Sequence, residues 1–149
     1  MDTIKRTNSD NVDFKTLVGL LNKDLADRDG ANHPLAKFNP IQNIKGVIVV
    51  YSDEVALGCG AFSPLDNSTM EVKRMYVSSE SRGKGMATKI LNELEQWGRE
   101  LGFSKALLFM GSNQPEATRL YTNSGYVQIP SYGNLSMIED CNCYCKDLL

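Results

Sequence analysis

The sequence predicts a mixed α/β fold, in which an antiparallel meander passes into a β-α-β-α-β unit. Three observations carry this. Residues 46 to 77 hold three successive β-branched or alternating runs separated by short turn strings. From residue 83 onward the apolar period becomes helical, and helices and strands alternate. No repeat, low-complexity tract or Pro/Gly/Ser linker interrupts the 149 residues, so a single domain over 1–149 is expected. Hydrophobic residues make up 42% and charged residues 23%, a balance that supports a real core and argues against long disorder.

Residues 3 to 8 are expected as a first strand. Asp10 is a candidate N-cap for a helix in which Phe14, Leu17, Val18, Leu21 and Leu25 recur at helical spacing. That helix should end in the turn-rich string Asp27-Arg28-Asp29-Gly30. Residues 31 to 44, with Pro34 and Pro40, read as a loop holding at most a short helix. Gly46 to Tyr51 is a strand bounded by the turn Ser52-Asp53-Glu54. Val55 to Phe62 returns, with Gly58 and Gly60 marking a bulge or a close approach. Thr69 to Val77 completes the meander. A helix over Gly83 to Leu101 follows, with Ala87, Ile90, Leu91, Leu94, Trp97 and Leu101 on one stripe and Gly102 closing it. Lys105 to Met110 reads as a buried strand. Pro115 suits a first helical position, Ala117, Leu120, Tyr121 and Ser124 share a face, and Gly125 ends that helix. Tyr126–Ile129 and Cys141–Leu148 are the last strands. The order fits neither a Rossmann fold nor a plain sandwich.

Several function classes are disfavoured at once. The 16 basic and 18 acidic residues give a net charge of −2, without the basic balance of a nucleic-acid binder. The longest clean apolar run, Val47 to Tyr51, is far below the ~20 residues of a membrane span. No apolar region follows Lys5-Arg6, so no signal peptide is expected and the default reading is cytoplasmic, with Cys59, Cys141, Cys143 and Cys145 reduced. Cys141, Cys143 and Cys145 alternate, which in a strand puts all three on one face. That is poor geometry for one tetrahedral metal, so no metal site is expected and buried thiols are the simpler account.

The string with most chemical content is Arg82-Gly83-Lys84-Gly85-Met86-Ala87-Thr88, between a strand and the longest helix. Unpaired N–H groups of a first helical turn favour an anion, the glycines allow close approach, and Arg82 and Lys84 add positive charge. The P-loop pattern fails because no Ser or Thr follows Lys84, and the dinucleotide pattern fails because Thr88 stands at its third glycine. On these residues alone the turn means either an anion site or merely a glycine-tolerant loop.

With its flanks the turn resembles that of the GCN5-related N-acetyltransferase superfamily. Arg82-Gly83-Lys84-Gly85-Met86-Ala87 matches the pattern [RQ]-x-x-G-x-[GA], and Glu71 to Val77 looks like the family's fourth strand. The segment Asn113 to Tyr126, with Ala117, Tyr121, Gly125 and Tyr126, matches a second hallmark. The likeness covers roughly residues 45 to 130. It implies an acyl-coenzyme A site with the pyrophosphate on backbone N–H groups from Arg82 to Ala87, helped by Thr88. It further implies pantetheine laid like a strand against Met75 and Val77 where the fourth and fifth strands splay, and contacted by Asn113.

Acyl transfer to an amine needs removal of the ammonium proton, donors for an oxyanion, and an acid for the departing thiolate. A phenol stays protonated near neutrality, and Tyr121 matches the family's general acid; the alternative is a core tyrosine on a helix face. Glu71 matches a base used by some members, others using a water chain; the alternative is an exposed strand carboxylate beside Lys73. The N–H of Met75 is the oxyanion donor by the same resemblance. His33 reads as a solvent-exposed loop residue, and Asp29 and Tyr132 lie in segments that border the acceptor cleft in such proteins.

The resulting expectation is an acetyl-CoA-dependent N-acetyltransferase acting on a primary amine of a small molecule. Neither nucleic acid nor membrane is a partner in this reading, and a homodimer is admitted. Transfer to a protein N-terminus or lysine, a non-catalytic acyl-CoA sensor, and a nucleotide-binding regulator are the alternatives.

Overall fold

The computed structural model describes residues 2–29, 44–111, 114–132 and 141–149. Strand β1 (Asp2–Thr7) leads to helix α1 (Val12–Asp29), and β2 (Gly46–Ser52), β3 (Val55–Pro64) and β4 (Thr69–Val77) form the meander. A short 3₁₀ turn (Ser79–Ser81) precedes α2 (Met86–Glu100), then come β5 (Lys105–Gly111), α3 (Pro115–Asn123), β6 (Val127–Ile129) and β7 (Cys141–Asp147). The strands make one seven-stranded mixed sheet in the order β1-β2-β3-β4-β5-β7-β6, and only β4 and β5 run parallel.

Alternation divides the sheet into two apolar faces. On one, Ile48, Val50, Phe62, Met70, Val72, Leu108 and Met110 pack against Ile90, Leu91 and Leu94 of α2 and Tyr121 of α3. On the other, Val47, Val49, Cys59 and Ala61 meet Phe14, Leu17 and Val18 of α1. Farther along that second face, Cys141 and Cys143 pack with Phe109, Ile129 and Tyr132. Arg6 of β1 reaches back to α2, bonding Glu93 at 2.7 Å and Glu100 at 2.7 and 3.0 Å.

Boundaries depart from expectation in three instructive places. The N-cap of α1 is Asn11, whose Oδ1 accepts the Phe14 N–H at 2.9 Å; Asp10 is held in the preceding turn by the Asn8 side chain. The hairpin turn expected at Ser52-Asp53-Glu54 is present, with Asp53 and Glu54 both at positive φ (49° and 72°), the backbone of a type I′ hairpin. Helix α2 starts at Met86, because Gly83 and Gly85 both sit at φ 79°. Leu101, expected on its buried stripe, is 46% exposed and serves as C-cap.

Close approach explains Gly58 and Gly60. A Cβ on Gly60 would lie 2.6 Å from Met75 Sδ and 2.7 Å from Ile90 Cγ2, and one on Gly58 would lie 2.9 Å from Ile90 Cδ1. Gly60 also faces a bulge in β4. Cys59 pairs with Tyr76 and Ala61 with Lys73, so Arg74 and Met75 together oppose one residue. The residue that absorbs the bulge is Arg74, at φ 56°.

Candidate active site

Strand β4 pairs with β5 only at Thr69↔Lys105, Met70↔Ala106 and Glu71↔Leu107. Beyond that the two strands part. β5 stays paired with β7 along its whole length, while β4 keeps only β3. Among the described residues, no strand therefore pairs with residues 72 to 77 on the β5 side, and Met75 and Val77 lie on this stretch, where the Val77 carbonyl accepts the Arg82 side chain. An extended ligand with amide groups can hydrogen-bond there as a strand would.

The free edge runs directly to the glycine-bearing turn. Gly85 occupies the N-cap of α2 without a side-chain cap, and no acidic residue sits in the first turn. The amides of Met86, Ala87 and Thr88 have no carbonyl four residues back inside the helix. A Cβ on Gly83 or Gly85 would meet nothing within 4 Å, so the space beside these two glycines is open. Lys84 and Thr88 are exposed, while Met86 sends its side chain into the core and offers only its backbone. Arg82 makes three contacts among the described residues. Its Nε donates to the Val77 carbonyl at 2.9 Å, its guanidinium lies 5.5 Å over the Tyr76 ring, and Asp24 of α1 is 3.7 Å away. Arg82 thus straps the turn to the end of β4. These residues fit a pyrophosphate through backbone donors and a helix N-terminus.

Tyr121 enters from the α2–α3 face. Helix α3 ends in a Schellman motif: Gly125 has φ 95°, the Tyr126 N–H donates to the Tyr121 carbonyl at 3.0 Å, and the two rings stack edge-to-face at 5.6 Å. Tyr126 is anchored in turn, its hydroxyl donating to Glu95 Oε2 at 3.1 Å while Lys146 Nζ lies 2.8 Å from Glu95 Oε1. Glu95 is only 2% exposed, so one buried carboxylate ties α2, β7 and the α3–β6 junction together. Burial pushes the Tyr121 phenol well above its ordinary value. Among the described residues no group hydrogen-bonds its hydroxyl.

Glu71 lies on the opposite face of β4, just before the strands part. It is 6% exposed, which removes the exposed-carboxylate alternative. The Tyr132 hydroxyl donates to its Oε2 at 2.8 Å, and Lys73 Nζ lies 3.3 Å from its Oε1. Burial, and then the neighbouring Glu71 carboxylate, raise the Tyr132 phenol far above its usual range. One residue past Lys73, the Arg74 side chain turns toward α1 and bonds Asn22 Oδ1.

Residues 19–126 match the model of the acetyltransferase (GNAT) family. The chain belongs to the GNAT family.

The GNAT fold accounts for the whole sheet. A solved structure of a proposed acyl-CoA N-acyltransferase from Klebsiella pneumoniae superposes with a TM-score of 0.85 at 25% identity, covering 100% of this chain and 99% of that one. A GNAT acetyltransferase from Elizabethkingia anophelis with acetyl-CoA bound shares the fold at a TM-score of 0.72 and 16% identity, over 98% of this chain and 97% of that one. Among curated relatives, an uncharacterized N-acetyltransferase of Schizosaccharomyces pombe is 33% identical over 107 residues, 70% of this chain and 64% of its own length. An IAA acetyltransferase of Azospirillum brasilense is 30% identical over 87 residues, 58% of this chain and 57% of its own length. The match thus spans less than two thirds of either curated relative.

Met75, Val77 and Arg82 to Thr88 follow one another from the free part of β4 to the start of α2, while Glu71 stands on one face of β4 and Tyr121 packs into the core on the other. Asn113 and His33 lie outside the described residues, as does the side chain of Asp29. Sequence reasoning missed the Tyr132–Glu71 bond, the buried Glu95 and the buried Arg74. A legible signal existed for the last: Glu71, Lys73 and Arg74 crowd three charges into one strand of the meander. No disulfide joins the four cysteines, and Cys141 and Cys143 share a face with their sulfurs 4.0 Å apart. Among the described residues no group of three or more His, Cys, Asp or Glu side chains could hold a metal ion. No described helix is long and apolar enough to cross a membrane.

Proposed function

We propose that the chain is an acetyl-CoA-dependent N-acetyltransferase that acetylates a primary amine of a small molecule. The observation that carries this is the continuity of two unpaired backbone surfaces. The free edge of β4 begins after Glu71 and leads into the uncapped N-terminus of α2, the shape needed by an extended amide chain ending in a pyrophosphate. The Elizabethkingia relative, which shares this fold, is described with acetyl-CoA bound.

In this reading the amides of Met86, Ala87 and Thr88 and the turn Arg82–Gly85 hold the pyrophosphate, while Met75 and Val77 line the pantetheine, with Asn113 as a further contact. The bound thioester supplies the acyl group and a thiolate leaving group. Glu71 takes the proton of the incoming ammonium, directly or through water. The free amine forms the C–N bond at the thioester carbon, and the Met75 N–H stabilises the oxyanion. When the C–S bond breaks, Tyr121 protonates the departing sulfur and regains a proton, directly or through water, from the new C–N nitrogen, which carries one in excess, while Glu71 releases its proton to solvent. Amide and coenzyme A are the products, and no redox partner is needed. The chain acts as one catalytic domain over 1–149.

Thiol release from acetyl-CoA, followed with a chromogenic disulfide across a panel of amines, tests the reading. Amine-dependent release that is lost on removing any one component supports it. Coenzyme A binding without release from any amine would assign the chain to the sensor class instead.

A further inference from the structure

Arg74 is placed at a cost that neither the fold nor the acyl-transfer chemistry explains. Its residue is 5% exposed, yet Nε and Nη1 have no hydrogen-bond partner. That leaves one N–H on Nε and two on Nη1 with nothing to donate to. Its one described side-chain bond runs to Asn22 Oδ1, a neutral acceptor. Among the described residues, the nearby candidate counter-ions are otherwise occupied or uncharged. Glu71 is held by Lys73 and the Tyr132 hydroxyl, and Asp24 faces Arg82. Cys59, whose thiol donates to the Arg74 carbonyl at 3.3 Å, is pushed up to about 12 by burial and stays a neutral thiol. The backbone adds to the oddity, because Arg74 takes φ 56° at the bulge, a conformation that non-glycine residues seldom adopt. Strain and a desolvated charge at one residue mark a candidate binding position.

Position narrows the ligand. Arg74 directly precedes Met75, whose N–H is the oxyanion donor proposed above. It turns toward the face of the sheet that carries Glu71. Asn22 is exposed, so the guanidinium lies only one side chain below the surface. A guanidinium is a planar fork whose geometry matches a carboxylate, and a buried one lacking a counter-ion gains most from an anion that comes with its own hydrogen-bond acceptors.

We propose that Arg74 binds a carboxylate of the acceptor, so that the amine acetylated here belongs to an amino-carboxylic acid. The proposal rests on the acyl-transfer reading and names its substrate class. The carboxylate is fixed at Arg74 while the ammonium faces Glu71, which orients the amine toward the thioester beside Met75.

The test compares free amino acids with their carboxamides and their decarboxylated amines, in the wild-type protein and in Arg74→Met. Wild type should favour the acids by roughly 30-fold or more in kcat/KM, the scale for losing one partner of a buried charge pair. In Arg74→Met the ratio of acid to amide should fall close to unity, and Arg74→Lys, which keeps the charge but not the fork, should fall between. The ratio cancels any general damage to turnover. If Arg74→Met does not fold, Arg74→Lys provides the comparison. Equal turnover of acids and amides by wild type, or an unchanged ratio in the folded variants, overturns the proposal. A second arm needs no turnover: with coenzyme A present, N-acetylated amino acids should raise the wild-type melting temperature and their amides should not. If no amine is acetylated, the acyl-transfer reading fails on its own, and Arg74 is judged by this arm alone. A carboxylate-dependent shift that disappears in the variant upholds the site, and its absence in wild type removes it.

Discussion

Replacing Tyr121 with Phe removes one oxygen and leaves almost everything else in place. The ring keeps its edge-to-face contact with Tyr126 at 5.6 Å, and the Schellman bond is made by the backbone. No described group bonds the hydroxyl, so its loss leaves no described partner stranded and stability should change by less than about 1 kcal/mol. For a chain this size that is a shift of only a few degrees in melting temperature. Turnover should respond very differently. Loss of a positioned general acid costs roughly 10²- to 10⁴-fold, or about 2.7 to 5.4 kcal/mol on the barrier. Coenzyme A affinity should stay within about threefold, since the pyrophosphate and pantetheine contacts assigned above do not involve the phenol. The assay is thiol release under saturating acetyl-CoA, beside a melting curve with and without coenzyme A. Burial raises the Tyr121 pKa, so the acid form persists throughout the neutral range, and wild-type kcat should show no alkaline limb from this residue below about pH 10. A Phe variant with kcat within about threefold of wild type would make Tyr121 a core tyrosine and refute its assignment as the acid.

Other perturbations report on the frame around the site. Glu95→Ala leaves the Lys146 ammonium and the Tyr126 hydroxyl without their buried acceptor, and should cost about 3 kcal/mol by chemical denaturation; a loss below about 1 kcal/mol would mean Lys146 simply turns outward. Gly60→Val drives a side chain into Met75, Ile90 and Leu94, and should cost about 1–3 kcal/mol, with weaker coenzyme A binding because Met75 must move. Gly85→Ala meets no neighbour within 4 Å, so its penalty is the positive φ alone, about 1–2 kcal/mol; unchanged stability would show that the turn relaxes freely. Tyr121, Tyr126 and Tyr132 all have phenol pKa values raised by burial, so the folded state retains protons that the unfolded state loses. The stability they contribute is therefore intact below about pH 10 and falls as pH rises above it, which melting curves from pH 8 to 11.5 should show. A flat profile across that range would contradict the burial of these rings.

The parts of this fold legible in the sequence were those governed by short-range pattern. The β2–β4 meander showed itself through β-branched runs, and α3 through Pro115 and Gly125 at its two ends. The anion turn was legible because glycines and basic residues between a strand and a helix have few other uses. What stayed hidden depends on pairing across distance. The β4 bulge exists only in the register against β3, so nothing local marked Arg74 as its strained residue. Tyr132 and Glu71 are separated by 61 positions, and Glu95 reads as a polar residue on a helix until Lys146 arrives from β7. The misplaced start of α2 has a local cause: Gly83 and Gly85 look permissive in a helical pattern, but both take the left-handed conformation that precedes it.

The central claim is that the free edge of β4 and the uncapped start of α2 together form a coenzyme A site. Thermal melting with coenzyme A, ATP and NAD, each at the same concentration, tests it most directly. A ligand held only by the folded state at 100 times its Kd adds about 2.7 kcal/mol, a shift of several degrees. The account predicts that shift with coenzyme A and none with ATP or NAD. A shift with ATP alone, or none with coenzyme A, would contradict it.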